Sequence, residues 1–113
     1  MEQKKEQAEG LVGKVFNLGN LVEYQEGAVV SRTVVKQNTG TVTLFSFDQG
    51  QGLSEHTAPF DAMVCILDGE AEVIISGESN NVKAGEMIIM PAGKPHSLKA
   101  TNRFKMLLIM IRS

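Results

Sequence analysis

Gly50-Gln-Gly-Leu-Ser-Glu-His56-Thr-Ala58-Pro-Phe-Asp61-Ala62-Met-Val-Cys65-Ile-Leu-Asp68-Gly69 is the stretch on which the reading of this chain turns. From Ala62 onward it is a short apolar run, and it closes on Asp-Gly. Asp-Gly is a strong hairpin signal, because both central positions of such a turn need positive φ. A second stretch has the same build: Gly85-Glu-Met-Ile-Ile-Met-Pro91-Ala-Gly93-Lys-Pro-His96-Ser-Leu-Lys-Ala100. Here too an apolar run meets a Pro/Gly segment, and a histidine follows. Short apolar and β-branched runs bounded by turn formers are strands.

Outward from these two stretches the same pattern continues. Strands are expected within residues 28–36, 41–47, 62–67, 70–76, 80–83, 86–90, 96–101 and 104–112. Asn38-Thr39-Gly40 is expected to join the first two as a hairpin, Asp68-Gly69 the third and fourth, with further turns at Gly77 and Gly85. No long window has a 3.6-residue period. Many short strands at this spacing predict an all-β sandwich or small barrel. Residues 11–25 are expected to hold a short strand and one helical turn. Residues 1–10 (MEQKKEQAEG) are too polar to order themselves and read as a frayed leader. Residues 11–113 then form one domain.

Composition narrows the function. The chain has 113 residues, enough for a core without disulfides or a structural metal. A net charge of −2 provides no field for gathering nucleic acid or anionic lipid. No apolar stretch is longer than residues 106–111, too short to cross a bilayer. Cys65 is the sole cysteine, and no secretory signal is visible, so a cytoplasmic location is expected. Five of the six methionines sit on strand runs and read as core packing.

The two quoted stretches together resemble the paired motifs of the cupin superfamily. The second motif fits at Gly85, Pro91, Gly93 and His96, with Ala100 where the family has Asn. The first fits at Gly50, His56 and Gly69. The resemblance implies a cupin-like (double-stranded β-helix, or jelly-roll) barrel over about residues 28–113. In metal-bearing cupins three His and one Glu of these motifs hold the ion. Here Ala58 stands at the second His position, and Ala62 (or Met63, with the longer spacing) at the Glu position. His56 and His96 remain, and they are the only histidines.

Alternate residues of a strand share a face. If His56 points inward, Ala58, Ala62, Val64 and Ile66 share its parity, and Asp61 and Cys65 point away. A bulge at Pro59 would flip that parity and return Asp61 to the site. Leu98 shares parity with His96, and Phe45 and Phe47 share one face of their strand. Apolar walls with a few polar groups describe a small-molecule pocket, and the same side chains also suit a plain barrel core.

Two functions follow, beside a third reading as a purely structural partner protein. One is a module that binds a small organic molecule in an apolar barrel pocket, with His56 and His96 as polar handles. The other is a metal-dependent enzyme (oxygenase, isomerase or decarboxylase) using the same pair. Its ion would be a weakly held divalent transition metal such as Zn, Ni, Mn or Fe, because two neutral nitrogens supply no charge against dehydration. A homodimer is expected, from the family and from the apolar runs at 28–35 and 106–111. Neither nucleic acid nor a membrane is an expected partner.

Overall fold

A computed structural model describes residues 10–112 of the chain. The expected leader over residues 1–10 therefore lies almost wholly outside them. Eight strands follow a 3₁₀ turn at Leu18–Leu21: β1 (Val29–Gln37), β2 (Gly40–Phe47), β3 (Gly52–His56), β4 (Ala62–Ile75), β5 (Glu78–Lys83), β6 (Met87–Met90), β7 (His96–Lys99) and β8 (Phe104–Ile111).

Two sheets share one strand. The first has the order β1-β2-β8-β4-β6, and the second β3-β7-β4-β5, every pair antiparallel. β4 supplies residues 62–69 to the first sheet and residues 70–75 to the second. The fold is all-β, a curled double sheet of the jelly-roll kind.

The expected hairpin at Asp68-Gly69 is corrected here. These residues lie inside β4, which runs unbroken for 14 residues. Gly69 does take the positive φ that the Asp-Gly signal calls for, +72°. That φ falls just past a bulge: the register to β8 shifts between Ile66 and Asp68, and Gly69 itself pairs with Phe104. The bulge bends the strand from one sheet into the other instead of reversing it. A Cβ on Gly69 would run into the carbonyl oxygen of Arg103, so the crossing strand approaches too closely for any side chain.

β3 is not among the expected runs, since Leu53 is its one large apolar residue. Its pairing with β7 makes it a strand. The short strand expected within residues 11–25 is absent from the described residues; the helical turn forms. Side chains of the first sheet take up this segment's carbonyls individually. Lys105 Nζ donates to Gly19 O at 2.7 Å, Arg32 Nη1 to Leu21 O at 3.1 Å and Ser46 Oγ to Glu23 O at 2.7 Å. Residues 18–23 thus strap one half of the outer face of the first sheet, over the fully buried Leu44.

Inside, one cluster holds the sheets together. Phe47, Ala62, Val64, Ile66, Ala71, Val73, Val82, Met90, Leu98, Ala100, Phe104 and Met106 are all at most 5 % exposed. Phe47 stacks on Phe104 with ring centroids 4.5 Å apart. Period-two burial along β4 (Ala62, Val64, Ile66, then Ala71 and Val73) shows both halves turning one face inward. Cys65 lies on the opposite face, outside the lumen, half-buried.

Candidate functional site

His56 ends β3 and His96 begins β7, directly opposite one another in register. Directly opposed residues project to the same side of a sheet. Leu98, two residues beyond His96, is in the core, so that side is the lumen. Ile75 pairs with His96 on the other flank, giving a row Ile75–His96–His56 across the inner face of the second sheet.

The imidazoles meet edge to face, with centroids 4.5 Å apart and Nε2 atoms separated by 3.2 Å. His56 Nδ1 is 2.8 Å from Ser54 O. A carbonyl only accepts, so Nδ1 carries the hydrogen, and a neutral His56 has a bare Nε2. His96 then donates its Nε2–H to that atom. This leaves His96 Nδ1 bare and buried, with no hydrogen-bond partner.

The two rings differ in environment. His56 is exposed, whereas His96 is 3 % exposed. Burial holds the His96 imidazole below the ordinary histidine value, and the nearby His56 charge pushes the same way. The backbone at Lys94 pulls weakly in the opposite sense without a well-formed hydrogen bond. His96 is therefore neutral near pH 7.

The expected wall residues fall into two groups. Phe47, Val64, Ile66 and Leu98 are at most 4 % exposed and form the floor below the histidines, and Ala62 is 2 % exposed. Phe45 packs against this floor but keeps solvent access. Ala58, on the loop after β3, is half-buried, and its carbonyl accepts from Gly93 N at 2.8 Å. Leu53, Ile75, Ile88, Leu108 and Met110 were missed by sequence reasoning. Each is partly exposed and packs on the core. Phe45 and Leu108 lie on β2 and β8, which are flanked on both sides, so their accessible surface opens into the lumen. Parity on β8 points to Leu108 and Met110 only once the register against β4 has placed Met106 inside.

Because β4 folds over at Asp68–Gly69, residues equally far from the bend face each other across the barrel. Ala62 and Met110 on one sheet thus stand level with Ile75, His96 and His56 on the other, at the open end. Asp61 does not join them. Its Oδ1 accepts from Ala92 N at 2.8 Å, tying the loop after His56 to the loop before His96.

The donor set decides what ion this end suits. With Zn–N bonds of about 2.0–2.1 Å, two ligands of one tetrahedral ion lie about 3.3 Å apart. The His pair matches that spacing. No group of three or more His, Cys, Asp or Glu side chains able to hold an ion occurs among the described residues. The pair is half of a ligand set, with alanines at the other two motif positions, and does not fit a resident metal held by protein alone.

Comparisons with known proteins agree with this architecture. Residues 43–112 match the family described as the Cupin domain. A conserved protein of unknown function from Streptococcus pyogenes superposes with a TM-score of 0.85 at 42% identity, over 89% of each chain. A cupin 2 conserved barrel domain protein from Leptotrichia buccalis gives 0.84 at 45% identity, over 86% of this chain and 47% of that one, so this chain spans about half its length. An uncharacterized protein of Aquifex aeolicus is 27% identical over 97 residues, 84% of this chain and 80% of its own. A salicylate 1,2-dioxygenase from Pseudoaminobacter salicylatoxidans shares the fold alone, with a TM-score of 0.68 at 17% identity over 74% of this chain. On the family match, the paired strands and the two motif histidines, the chain belongs to the cupin superfamily.

Proposed function

We propose that this cupin domain is a binding module for a small organic molecule held in the open end of its barrel. The observation that carries this reading is solvent access to inward apolar side chains, Phe45 and Leu108, on strands paired along both edges. An apolar inner wall beside a few convergent polar groups is the usual build of a small-molecule site. The apolar body of the ligand lies against Phe45, Leu108, Met110 and Ile75. Its polar group meets His56 Nε2, or His96 if the ligand displaces the His–His contact.

The test is a fragment screen followed on Leu, Ile and Met methyl signals by NMR. Binders should perturb Leu108, Met110 and Ile75 together, and His56→Ala should weaken them. Leu108→Trp, which fills the lumen, should abolish them in a folded protein. Binders that perturb only outer-face methyls defeat the reading.

A second reading, a metal-dependent oxygenase, isomerase or decarboxylase, is favoured by the Nε2 spacing of 3.2 Å. There the substrate would have to supply ligands that Ala58 and Ala62 do not. A stoichiometric transition metal that survives dialysis would move this reading ahead of the first.

A further inference from the structure

The inner faces of the two sheets carry a polar pattern beside the apolar one. Cross-strand partners share a side of their sheet, so each register row can be followed outward from β4. Val64 pairs with Leu108, Leu108 with Thr43 and Thr43 with Thr33. One step nearer the open end, Ala62 pairs with Met110 and Met110 with Thr41. Both rows begin apolar on β4 and β8 and end in hydroxyls on β2 and β1. The second sheet follows the same gradient, from Ile75 on β4 to His96 on β7 and His56 on β3.

The fold brings the two polar ends together. Both sheets continue from β4, so strands equally far from it lie over one another: β8 over β7, and β2 over β3. The links agree, because β7 joins β8 through residues 100–103 and β2 joins β3 through residues 48–51. Thr41 and Thr43 therefore face His56 across the lumen, beside Phe45. Thr33, Thr41 and Thr43 are half-buried and keep access to solvent. Among the described residues, the side-chain hydrogen bonds of β1 and β2 run from Arg32 and Ser46 to the strap on the other face, and none engages these three hydroxyls.

Charge is missing from this wall. No Asp, Glu, Lys or Arg takes an inward position on β2, β7 or β8, where Lys99 and Lys105 alternate to the outer faces. An ionised group lodged here loses water without gaining a counter-charge, which is costly. His56 adds a direction. Its Nδ1–H is committed to Ser54 O at 2.8 Å, so its Nε2 accepts. A threonine hydroxyl both donates and accepts. A ligand hydroxyl satisfies both walls at once, donating to His56 Nε2 and accepting from Thr43 Oγ1. It takes the place of the His96 Nε2–H that now lies against His56 Nε2 at 3.2 Å. A carboxylate brings no hydrogen for Nε2, and an ammonium brings a charge that nothing on this wall offsets.

We infer, resting on the barrel-binding role proposed above, that the ligand is an uncharged hydroxyl compound, its hydroxyl held between His56 and Thr43 and its apolar body on Phe45 and Leu108.

The test compares three probes that share one aromatic ring and differ in head group: benzyl alcohol, benzoate and benzylammonium. Each is titrated near neutral pH into the full-length chain and followed by methyl NMR. Benzyl alcohol should shift the Leu108 and Thr43 methyls together and bind at least about fivefold tighter than either ion, the worth of one net hydrogen bond. Thr43→Val keeps a β-branched shape and drops the hydroxyl. It should weaken benzyl alcohol about fivefold, and Thr43→Ser should restore the affinity. The head-group comparison on wild type needs no variant to fold. Benzoate or benzylammonium binding in the barrel as tightly as benzyl alcohol overturns the hydroxyl assignment and leaves the barrel-binding role standing. A folded Thr43→Val with unchanged affinity for benzyl alcohol does the same. If none of the three probes shifts Leu108, Met110 or Ile75, the assignment falls as well, and the fragment screen then decides the role by itself.

Discussion

Gly69→Ala isolates the energetic role of the bend in β4. The left-handed backbone costs a residue with a side chain about 1–2 kcal/mol. At Gly77, φ is +81° and nothing lies within 4 Å of an added methyl, so Gly77→Ala should cost that amount alone. At Gly69, φ is +72° and the added Cβ meets backbone: the Arg103 carbonyl, with the Phe104 Cα at 3.1 Å. Backbone on a paired strand does not rotate away as a side-chain tip would. Relieving the clash should add about 1–3 kcal/mol, the usual cost of forcing atoms into a packed site. Gly69→Ala should therefore lose about 2–5 kcal/mol, a large share of the stability expected of a domain this size. Urea unfolding followed by circular dichroism gives both values on one scale. Thermal midpoints should fall by at least about 8 °C for Gly69→Ala. If the two variants lie within about 0.5 kcal/mol of each other, below even the smallest clash term, the close approach at the crossing is wrong.

Three further outcomes are expected. His96 is held neutral in the fold, while an unfolded histidine takes up a proton near 6.5. The unfolded chain then binds more protons below that pH, so stability should fall from about pH 6.5 downward until the folded value is passed. Urea midpoints over this range should flatten in His96→Gln, and an unchanged slope would exclude His96 as its source. Ala58→His returns a second imidazole to the first motif and should raise zinc affinity at least tenfold by calorimetry, about 1.4 kcal/mol; equal affinities would show that position 58 does not reach the pair. Tyr24 Oη donates to Asp68 Oδ2 at 2.5 Å, and its phenol is pushed up by burial and by that carboxylate. Tyr24→Phe should cost about 1 kcal/mol while keeping the ring's contacts with Arg103 and Lys105, and a neutral result would mean that water replaces the bond fully.

Much of the fold was legible because period two is a strong signal wherever one strand face is buried. Ala62, Val64 and Ile66 alternate with Met63, Cys65 and Leu67, and the structure buries the first set. The error at Asp68-Gly69 has a physical source. The dipeptide specifies positive φ, but a hairpin and a bent, unbroken strand can both use it, and only the distant partner strand β8 decides between them. β3 escaped notice because its strand character comes from β7, not from its own side chains. At the candidate site, motif spacing pointed to His56 and His96, and the structure brings their Nε2 atoms to 3.2 Å. Leu108 and Met110 were hidden because assigning them to the lumen requires the register of β8 against β4.

The pairing of β2 with β8 sets a condition on how this chain comes to be folded. Phe47 meets Phe104 and Gly40 meets Ile111, partners 57 and 71 residues apart (104 − 47 and 111 − 40). Contacts that far apart repay their loop-closure entropy only at the end, and they make folding slow. Until β8 arrives, the β1–β2 hairpin carries an open hydrogen-bonding edge and bare phenylalanines, a template for the wrong neighbour. During synthesis that edge stays unmet until residues 104–111 have emerged. The half-made chain is thus the form of this protein most in need of a chaperone.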